Sequence, residues 1–151
     1  MPTEDLILQI AKNKDLPKIA GIYNQEFSKP PYNEPWTNGI ALEKLKNFKK
    51  YSDIWKIENK SGIIGFIIVN TNFWFLKENC FVEDIAIKKE YQRKGIGKKT
   101  MSEIMKIYKI KGYKNFLLIS KKNSIPYKMY KKLGFEESTD DVLMGRSLKN
   151  L

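Results

Sequence analysis

The 151 residues include 42% hydrophobic and 13% aromatic ones, enough for one domain with a core, which excludes a disordered chain. The 28 basic residues outnumber the 17 acidic ones and give a net charge of +11. Apart from Arg93 and Arg146 the basic residues are lysines, whereas bidentate recognition of bases and phosphates favours arginine, so we expect no nucleic-acid partner.

The chain has no histidine and a single cysteine, Cys80. It therefore lacks the commonest general base and metal ligand, and we expect no metal and no Cys–His nucleophile. Acid–base chemistry then depends on carboxylates, tyrosine, lysine or water. One cysteine forms no internal disulfide, which fits a cytoplasmic protein, and no apolar run is long enough to cross a membrane.

The first third of the chain predicts one strand and two helices. Residues 6–10 are an apolar run suited to a strand, and Asn13 is a candidate cap for a helix whose apolar residues continue to Phe27. A proline-rich, aromatic loop follows over residues 28–36. Thr37 is then a candidate cap for the second helix.

The middle of the chain predicts a hairpin and a central strand. Residues 53–59 and 63–70 are strand candidates joined around Lys60-Ser61-Gly62, and residues 81–88 form a further strand. That strand carries two adjacent acids, Glu83 and Asp84, in otherwise apolar surroundings.

A short glycine loop, Gln92-Arg93-Lys94-Gly95-Ile96-Gly97, follows this strand and opens a helix predicted to end near Lys111. Such a loop directs backbone N–H groups at one point, at the positive end of a helix dipole, and typically binds pyrophosphate. Lys98 adds positive charge. The alternative is an ordinary glycine turn before a helix.

The remaining residues predict a strand, a short helix and closing strands. Residues 116–120 suit a buried strand, residues 123–133 a helix that ends at Gly134, and residues 135–148 up to two further strands.

The segment from Asn123 to Phe135 makes the chain resemble a known family. The GNAT family of N-acetyltransferases carries a loop of the form Q/R-x-x-G-x-G/A and, one helix and one strand later, the pattern N-x-x-A-x-x-L-Y-x-x-x-G-F. Residues 92–97 match the first. The second is matched with Pro126 in place of alanine and Met129 in place of leucine.

The resemblance implies one α/β acetyltransferase domain over residues 1–151. Its mixed central sheet of about six or seven strands would be flanked by four helices and splayed at the middle strands. Acetyl-CoA, as co-substrate, would lie where the sheet splays. The residues implied to contact it are Ile85, Ala86, Ile87, Gln92, Arg93, Lys94, Gly95, Ile96, Gly97, Lys98, Asn123 and Tyr130.

Three residues are the implied catalytic candidates. In the family, the tyrosine at the position of Tyr130 protonates the leaving thiolate; the alternative is a core tyrosine. Glu83 and Asp84 resemble the acidic pair of small-polyamine acetyltransferases, and Glu83 is favoured as the base or amine anchor. Neighbours on a strand face opposite sides, so only one acid reaches the cleft unless a β-bulge re-aims the other. A salt bridge or a capping role is the alternative for this pair.

The proline-rich loop supplies the candidate substrate contacts. Tyr32, Glu34 and Trp36 suit a cationic amine through aromatic faces and one carboxylate. Trp36 suits a plug beneath the second helix equally well.

The implied function is acetyl-CoA-dependent N-acetylation of a primary amine by direct attack in a ternary complex. The acceptor would be a small amine, either a polyamine or an aminoglycoside-like molecule, or else a protein amine. Two alternatives are a catalytically idle acetyl-CoA-binding module, used for sensing or interaction, and a basic nucleic-acid binder. Dimers are common in the family, so a homodimer is also possible.

Overall fold

The computed structural model describes residues 5–151. The chain divides into two compact units, residues 1–119 and residues 120–151. Each unit is considered by itself below. That residues 1–151 act as one acetyltransferase domain stays a prediction.

The first unit contains the strands and most of the helices. Its elements, in chain order, are β1 (Ile7–Ile10), α1 (Leu16–Phe27), α2 (Asn38–Lys49), β2 (Ser52–Asn59), β3 (Gly62–Phe73), β4 (Asn79–Ile87), α3 (Ile96–Ile110) and β5 (Asn115–Leu117). The second unit contains α4 (Ile125–Lys132). Single 3-10 turns at Asn13–Asp15 and Lys89–Tyr91 precede α1 and follow β4.

Within residues 5–151 the five strands form one sheet in the order β1-β2-β3-β4-β5. The first four strands run antiparallel to their neighbours, and β5 pairs with β4 in parallel. The predicted mixed α/β class is confirmed. The predicted count of six or seven strands is too high, because residues 135–148 form no strand. A segment forms a strand only where its backbone finds a sheet partner, and residues 136–151 are all exposed.

Helices cover both faces of the sheet. Ile54 of β2 and Ile68 of β3 pack with α1 and α2 in one core cluster. The next residue of β2, Trp55, faces the other side, where its Nε1 donates a 2.9 Å hydrogen bond to the hydroxyl of Tyr108 on α3. The same hydroxyl donates to Asp53 Oδ2 at 2.6 Å, so α3 is anchored to β2 by a chain of buried polar contacts.

The two predicted helix caps have different outcomes. Thr37 caps α2 as predicted, since its Oγ1 accepts a 3.1 Å hydrogen bond from the N–H of Ile40. The prediction for Asn13 is wrong, because this residue lies inside the 3-10 turn and α1 begins at Leu16. The carboxylate of Asp15 closes that turn by accepting a 2.8 Å hydrogen bond from the N–H of Lys12.

Among residues 5–151, no helix combines the length and the apolar character that crossing a membrane requires.

Candidate functional site

A β-bulge in β4 decides where its two acids point. Asp84 pairs with Ile68 of β3, whereas Val82 pairs with Val69, so Glu83 has no partner of its own on β3. Ile68 belongs to the core beneath α1 and α2. Because residues paired across antiparallel strands share a face, Asp84 points to the side of α1 and α2.

Glu83 points to the same side. Its Oε1 accepts a 3.1 Å hydrogen bond from Nδ2 of Asn70, which lies two residues beyond Ile68 on β3 and therefore on the same face. The sequence predicts one acid per face unless a bulge intervenes. The bulge is present, and it brings Glu83 and Asp84 together.

Asp84 is enclosed by side chains from both helices. The hydroxyl of Tyr23 on α1 donates a 2.8 Å hydrogen bond to Asp84 Oδ2, and Nζ of Lys44 on α2 lies 3.8 Å from the same oxygen. Burial raises the pKa of Asp84 to about 6, helped by the charges of Glu83 and Glu34 and opposed by Tyr23 and Lys44. At neutral pH this side chain is a carboxylate that takes up a proton far more readily than an ordinary aspartate.

Tyr23 keeps its proton under all ordinary conditions. Its side chain is buried, and burial together with the neighbouring Asp84 carboxylate holds its pKa far above the usual range. It therefore acts as a permanent hydrogen-bond donor to Asp84.

The three predicted substrate contacts lie on the loop between α1 and α2. The N–H of Glu34 donates a 3.1 Å hydrogen bond to the carbonyl of Phe27 at the end of α1, which holds the loop against that helix. Tyr32 lies against the ring of Phe27, with centroids 4.9 Å apart. Burial, and then the charges of Asp84 and Glu34, raises the pKa of Tyr32.

Trp36 packs as its predicted description as a plug requires. It packs against the core cluster, and its ring stands edge-on to Tyr23 at 4.7 Å between centroids. Its indole N–H is buried, yet finds no hydrogen-bond partner among residues 5–151. Whether Trp36, Tyr32 and Glu34 bind a substrate stays a prediction.

Beyond its first residues, β4 has a sheet partner on one side alone within the first unit. β5 pairs only with Asn79, Cys80 and Phe81 and ends at Leu117, so the sheet splays there. The residues that continue β4 toward the glycine loop keep their pairing to β3.

The open edge of β4 is presented by Ile85 and Ile87. The N–H of Lys88 donates a 2.8 Å hydrogen bond to the Ile64 carbonyl of β3. Backbone groups of successive strand residues point to alternate edges, so those of Ile85 and Ile87 point away from β3, whereas those of Ala86 point toward it.

Gln92 connects the glycine loop to α1 and β4. Its Nε2 donates to the carbonyl of Ile87 at 2.7 Å and to Oε1 of Glu26 on α1. Its backbone N–H donates to the Lys89 carbonyl at 3.1 Å. Glu26 is buried and also forms a 2.7 Å ion pair with Lys29. The side chain of Gln92 therefore holds the loop in place.

The rest of the predicted loop surrounds the first turn of α3. Arg93 and Gly95 both have left-handed backbones, with φ of 64° and 80°. Gly95 is the N-cap of α3 and has no side chain to cap this helix, in contrast to Thr37 on α2 and Ser124 on α4. The first N–H groups of α3 are thus left for an outside acceptor, with Arg93, Lys94 and Lys98 exposed around them.

The second unit carries the other predicted residues. Ser124 caps α4 by accepting a 3.2 Å hydrogen bond from the N–H of Tyr127, and Asn123 precedes it with φ of 63°. Tyr130 is 7% exposed, and its ring lies 5.5 Å from that of Phe135. The cofactor role of Asn123 and the catalytic role of Tyr130 stay predictions.

Two features of the described residues bear on the remaining chemistry. Cys80 is a buried free thiol, and burial together with the Asp53 carboxylate raises its pKa to about 12. Residues 5–151 contain no group of three carboxylate or cysteine side chains arranged to hold a metal ion.

Three residues of the site are missed by sequence reasoning: Tyr23, Glu26 and Lys44. Tyr23 reads as one more apolar residue of the α1 stripe, and Lys44 as one of many surface lysines. Their partners Asp84 and Gln92 lie 61 and 66 positions away from Tyr23 and Glu26, and no local pattern connects them.

A model of the acetyltransferase (GNAT) family matches residues 16–135. A spermidine N(1)-acetyltransferase of Thermoplasma acidophilum is 29% identical to the chain, over 97% of this chain and 94% of that protein.

Solved structures share the fold. A possible acetyltransferase from Clostridium difficile 630 superposes with a TM-score of 0.78 at 16% identity, over 95% of this chain and 98% of that one. The aminoglycoside N-acetyltransferase AAC(6')-Iy, solved in complex with CoA, superposes with a TM-score of 0.75 at 16% identity, over 98% and 99% of the two chains.

The raised pKa of Asp84 predicts a pH-dependent loss of stability. Because the folded-state pKa lies above the usual aspartate pKa of about 3.8, the stabilisation is fully present below that pH and is lost as pH rises through about 6. Relative to Asp84→Asn, the wild-type free energy of unfolding should fall by on the order of 2–3 kcal/mol between about pH 3 and pH 7. Urea unfolding across that pH range measures the difference.

Tyr23→Phe provides the control for this assignment. It keeps Asp84 and removes the hydrogen bond that lowers the pKa, so the midpoint of the pH-dependent loss should move upward. A wild-type curve that runs parallel to that of Asp84→Asn at every pH would contradict the raised pKa.

Proposed function

Since the chain belongs to the GNAT family of acetyltransferases, we propose that it moves an acetyl group from acetyl-CoA to a primary amine of a small polycationic acceptor, by direct attack in a ternary complex. The observation that carries the acceptor class is the β-bulge that brings Glu83 and Asp84 to one face. In a protein of net charge +11, this face concentrates carboxylates beside aromatic rings. Local charge of this kind selects a cationic ligand in spite of the overall charge.

The open edge of β4 supports the pantetheine contact. Ile85 and Ile87 direct backbone groups away from β3, and an extended amide-containing arm can pair with such an edge as a strand does. The carbonyl of Ile87 already accepts a hydrogen bond from Gln92, so the backbone of Ile85 and the N–H of Ile87 are the groups we assign to the cofactor. The N–H of Ile85 is also our candidate for stabilising the oxyanion.

The uncapped end of α3 supports the pyrophosphate contact. The first N–H groups of this helix, with the left-handed Arg93 and Gly95 before them, suit an anion that approaches from outside. Exposed Lys94 and Lys98 add charge around it. We assign Ile96 and Gly97 to the same contact.

Asp84 and Glu83 supply the base and the anchor. An acceptor amine arrives as an ammonium ion and has to lose a proton before its nitrogen attacks the thioester. A carboxylate with a pKa of about 6 accepts that proton, directly or through water, more readily than an ordinary aspartate does. We therefore assign Asp84 as the proton acceptor and Glu83, with Glu34, as an anchor for a further charge of the acceptor.

Tyr130 and Asn123 complete the proposed machinery. Asn123 binds the pantetheine amide, and the Tyr130 hydroxyl protonates the thiolate of CoA as the carbon–sulfur bond breaks. Both residues lie in the second unit, and the support for their roles is their match to the GNAT motif.

The polyamine class is the acceptor we expect first, in line with the relative named as a spermidine acetyltransferase. The purified chain should release CoA thiol from acetyl-CoA with spermidine or spermine well above the hydrolysis background, and more slowly with aminoglycosides, amino acids or peptides. Thiol release with mass analysis of the acetylated product measures this. A background rate with every amine would favour an idle acetyl-CoA-binding module.

Tyr130→Phe should lower kcat by about 10²-fold or more, because it removes the acid that protonates the leaving thiolate. The affinity for acetyl-CoA should stay within about threefold. Tyr127→Phe is the matched control on the same helix, since its hydroxyl bonds to Glu137 instead, and it should keep wild-type turnover. Equal turnover in Tyr130→Phe and Tyr127→Phe would remove the acid role.

Gly95→Val should abolish CoA binding, measured by calorimetry, because its side chain would occupy the approach to the first turn of α3. Gly112→Val is the control, since both glycines have positive φ and open space around a new Cβ, but Gly112 lies at the far end of α3. Each variant should lose on the order of 1–2 kcal/mol of stability from backbone strain. Unchanged CoA affinity in Gly95→Val would contradict the proposal that the glycine loop binds the pyrophosphate of CoA.

A further inference from the structure

The ammonium group of Lys44 lies among three aromatic rings on the acceptor face. Its Nζ is 5.1 Å from the ring centroid of Trp36, 5.2 Å from that of Phe48 and 5.5 Å from that of Tyr23. All three distances fall within the range of cation–π attraction, and the Asp84 carboxylate lies at 3.8 Å. We call these three rings and Asp84 the cation cage.

The cation cage has the chemistry of a site for an alkylammonium ion. Aromatic faces and one carboxylate recognise a primary ammonium group on an aliphatic stem, and the side chain of lysine is such a group, equivalent to n-butylammonium. The contacts of Lys44 therefore show how this face can bind the ammonium group of another molecule.

Lys44 is held loosely. Its Nζ lies 3.8 Å from Asp84, beyond hydrogen-bond distance, whereas the ion pairs Lys29–Glu26 and Lys56–Glu58 of the same unit close to 2.7 and 2.6 Å. Its side chain is 37% exposed. A group in this position can withdraw into solvent without leaving a hydrogen bond broken.

We propose that the ammonium of Lys44 occupies the acceptor's ammonium subsite as an internal ligand, and that a substrate amine reaches Asp84 by displacing it. The proposal rests on the proposed function for the identity of the acceptor, and on the geometry of the cation cage for the binding itself. Displacement leaves the cage with its charge balance unchanged, since one ammonium replaces another. The indole N–H of Trp36, buried without a partner among the described residues, remains as a donor for a hydroxyl or amide on the incoming molecule.

An internal ligand reduces the affinity of every external ligand in proportion to the fraction of time for which the site is vacant. If Lys44 fills the cation cage nine-tenths of the time, removing it tightens the binding of a simple amine by about tenfold. A polyamine loses the same factor, because it too has to displace Lys44, but its further charges bind carboxylates outside the cage, such as Glu83 and Glu34, and keep its affinity above that of a monoamine. Lys44 thereby keeps the affinity for simple monoamines low, while the further contacts of a polyamine still allow it to bind.

The test measures n-butylammonium binding by calorimetry, without acetyl-CoA, on the full chain. Lys44→Met, which keeps an apolar stem, and Lys44→Ala, which empties the position, should each bind the probe about tenfold more tightly than wild type. Neutral n-butanol, of similar size, should bind none of the three. Thermal unfolding of each variant confirms that it is folded, and the second variant serves if the first is not.

Two matched variants separate occupancy from charge. Lys46→Met removes the same charge from the same helix outside the cation cage and should leave affinity for the probe within about twofold of wild type. Lys44→Arg keeps a cation in the cage and should not gain the tenfold. Equal gains in Lys46→Met and Lys44→Met would assign the effect to net charge and overturn the proposal, as would no gain in either Lys44 variant.

Assays with amine acceptors distinguish this inference from the proposed function. In thiol-release assays, Lys44→Met should lower the KM for n-butylamine and the KM for spermidine by a similar factor of about ten, because both amines have to displace Lys44. A chain that binds n-butylammonium as described but acetylates nothing would retain the cation cage and lose the proposed function. A chain that acetylates spermidine while Lys44→Met gains nothing would retain the function and lose the internal ligand.

Discussion

The β-bulge at Glu83 in β4 is the constraint on which the acceptor face depends. In a regular strand Glu83 and Asp84 would point to opposite faces, and one acid would lie on the side of α3. The bulge instead keeps both on the side of α1 and α2, where Tyr23 and Asn70 bind their carboxylates. It also lets the rest of β4 return to register, so that Ile85 and Ile87 still direct their backbone toward the edge that β5 leaves open.

The charge state of the acidic residues on the acceptor face depends on their immediate neighbours. Burial is the main cause of the raised pKa of Asp84, and the adjacent Glu83 carboxylate raises it further. The hydrogen bond from Tyr23 and the charge of Lys44 stabilise the ionised form of Asp84, but its pKa stays above that of an exposed aspartate. The large lysine surplus of the chain has little influence at this range, because exposed charges are screened within about 10 Å at ordinary salt. A basic protein can therefore present a cation-binding face.

The sequence predicts most of the framework, because it depends on local patterns. Thr37 predicts the start of α2, and the glycine loop predicts the start of α3. The turn around Ser61 predicts the β2–β3 hairpin. The missed features depend on tertiary pairing. The prediction of up to two strands over residues 135–148 is wrong, because no local pattern shows whether a segment finds a sheet partner. The bulge at Glu83 leaves no mark in the sequence beyond the acidic pair itself.

The long-range contacts of α1 show why the site could be predicted only in part. Tyr23 and Glu26 are one helical turn apart, so they share a face of α1. Tyr23 binds Asp84, on the acceptor side of β4, and Glu26 binds Gln92, which holds the glycine loop. One face of one helix thus sets the position of both the acid and the loop relative to β4. A displacement of α1 would move the two together, so the geometry that joins acceptor and cofactor depends on a helix that carries no residue of the family motif.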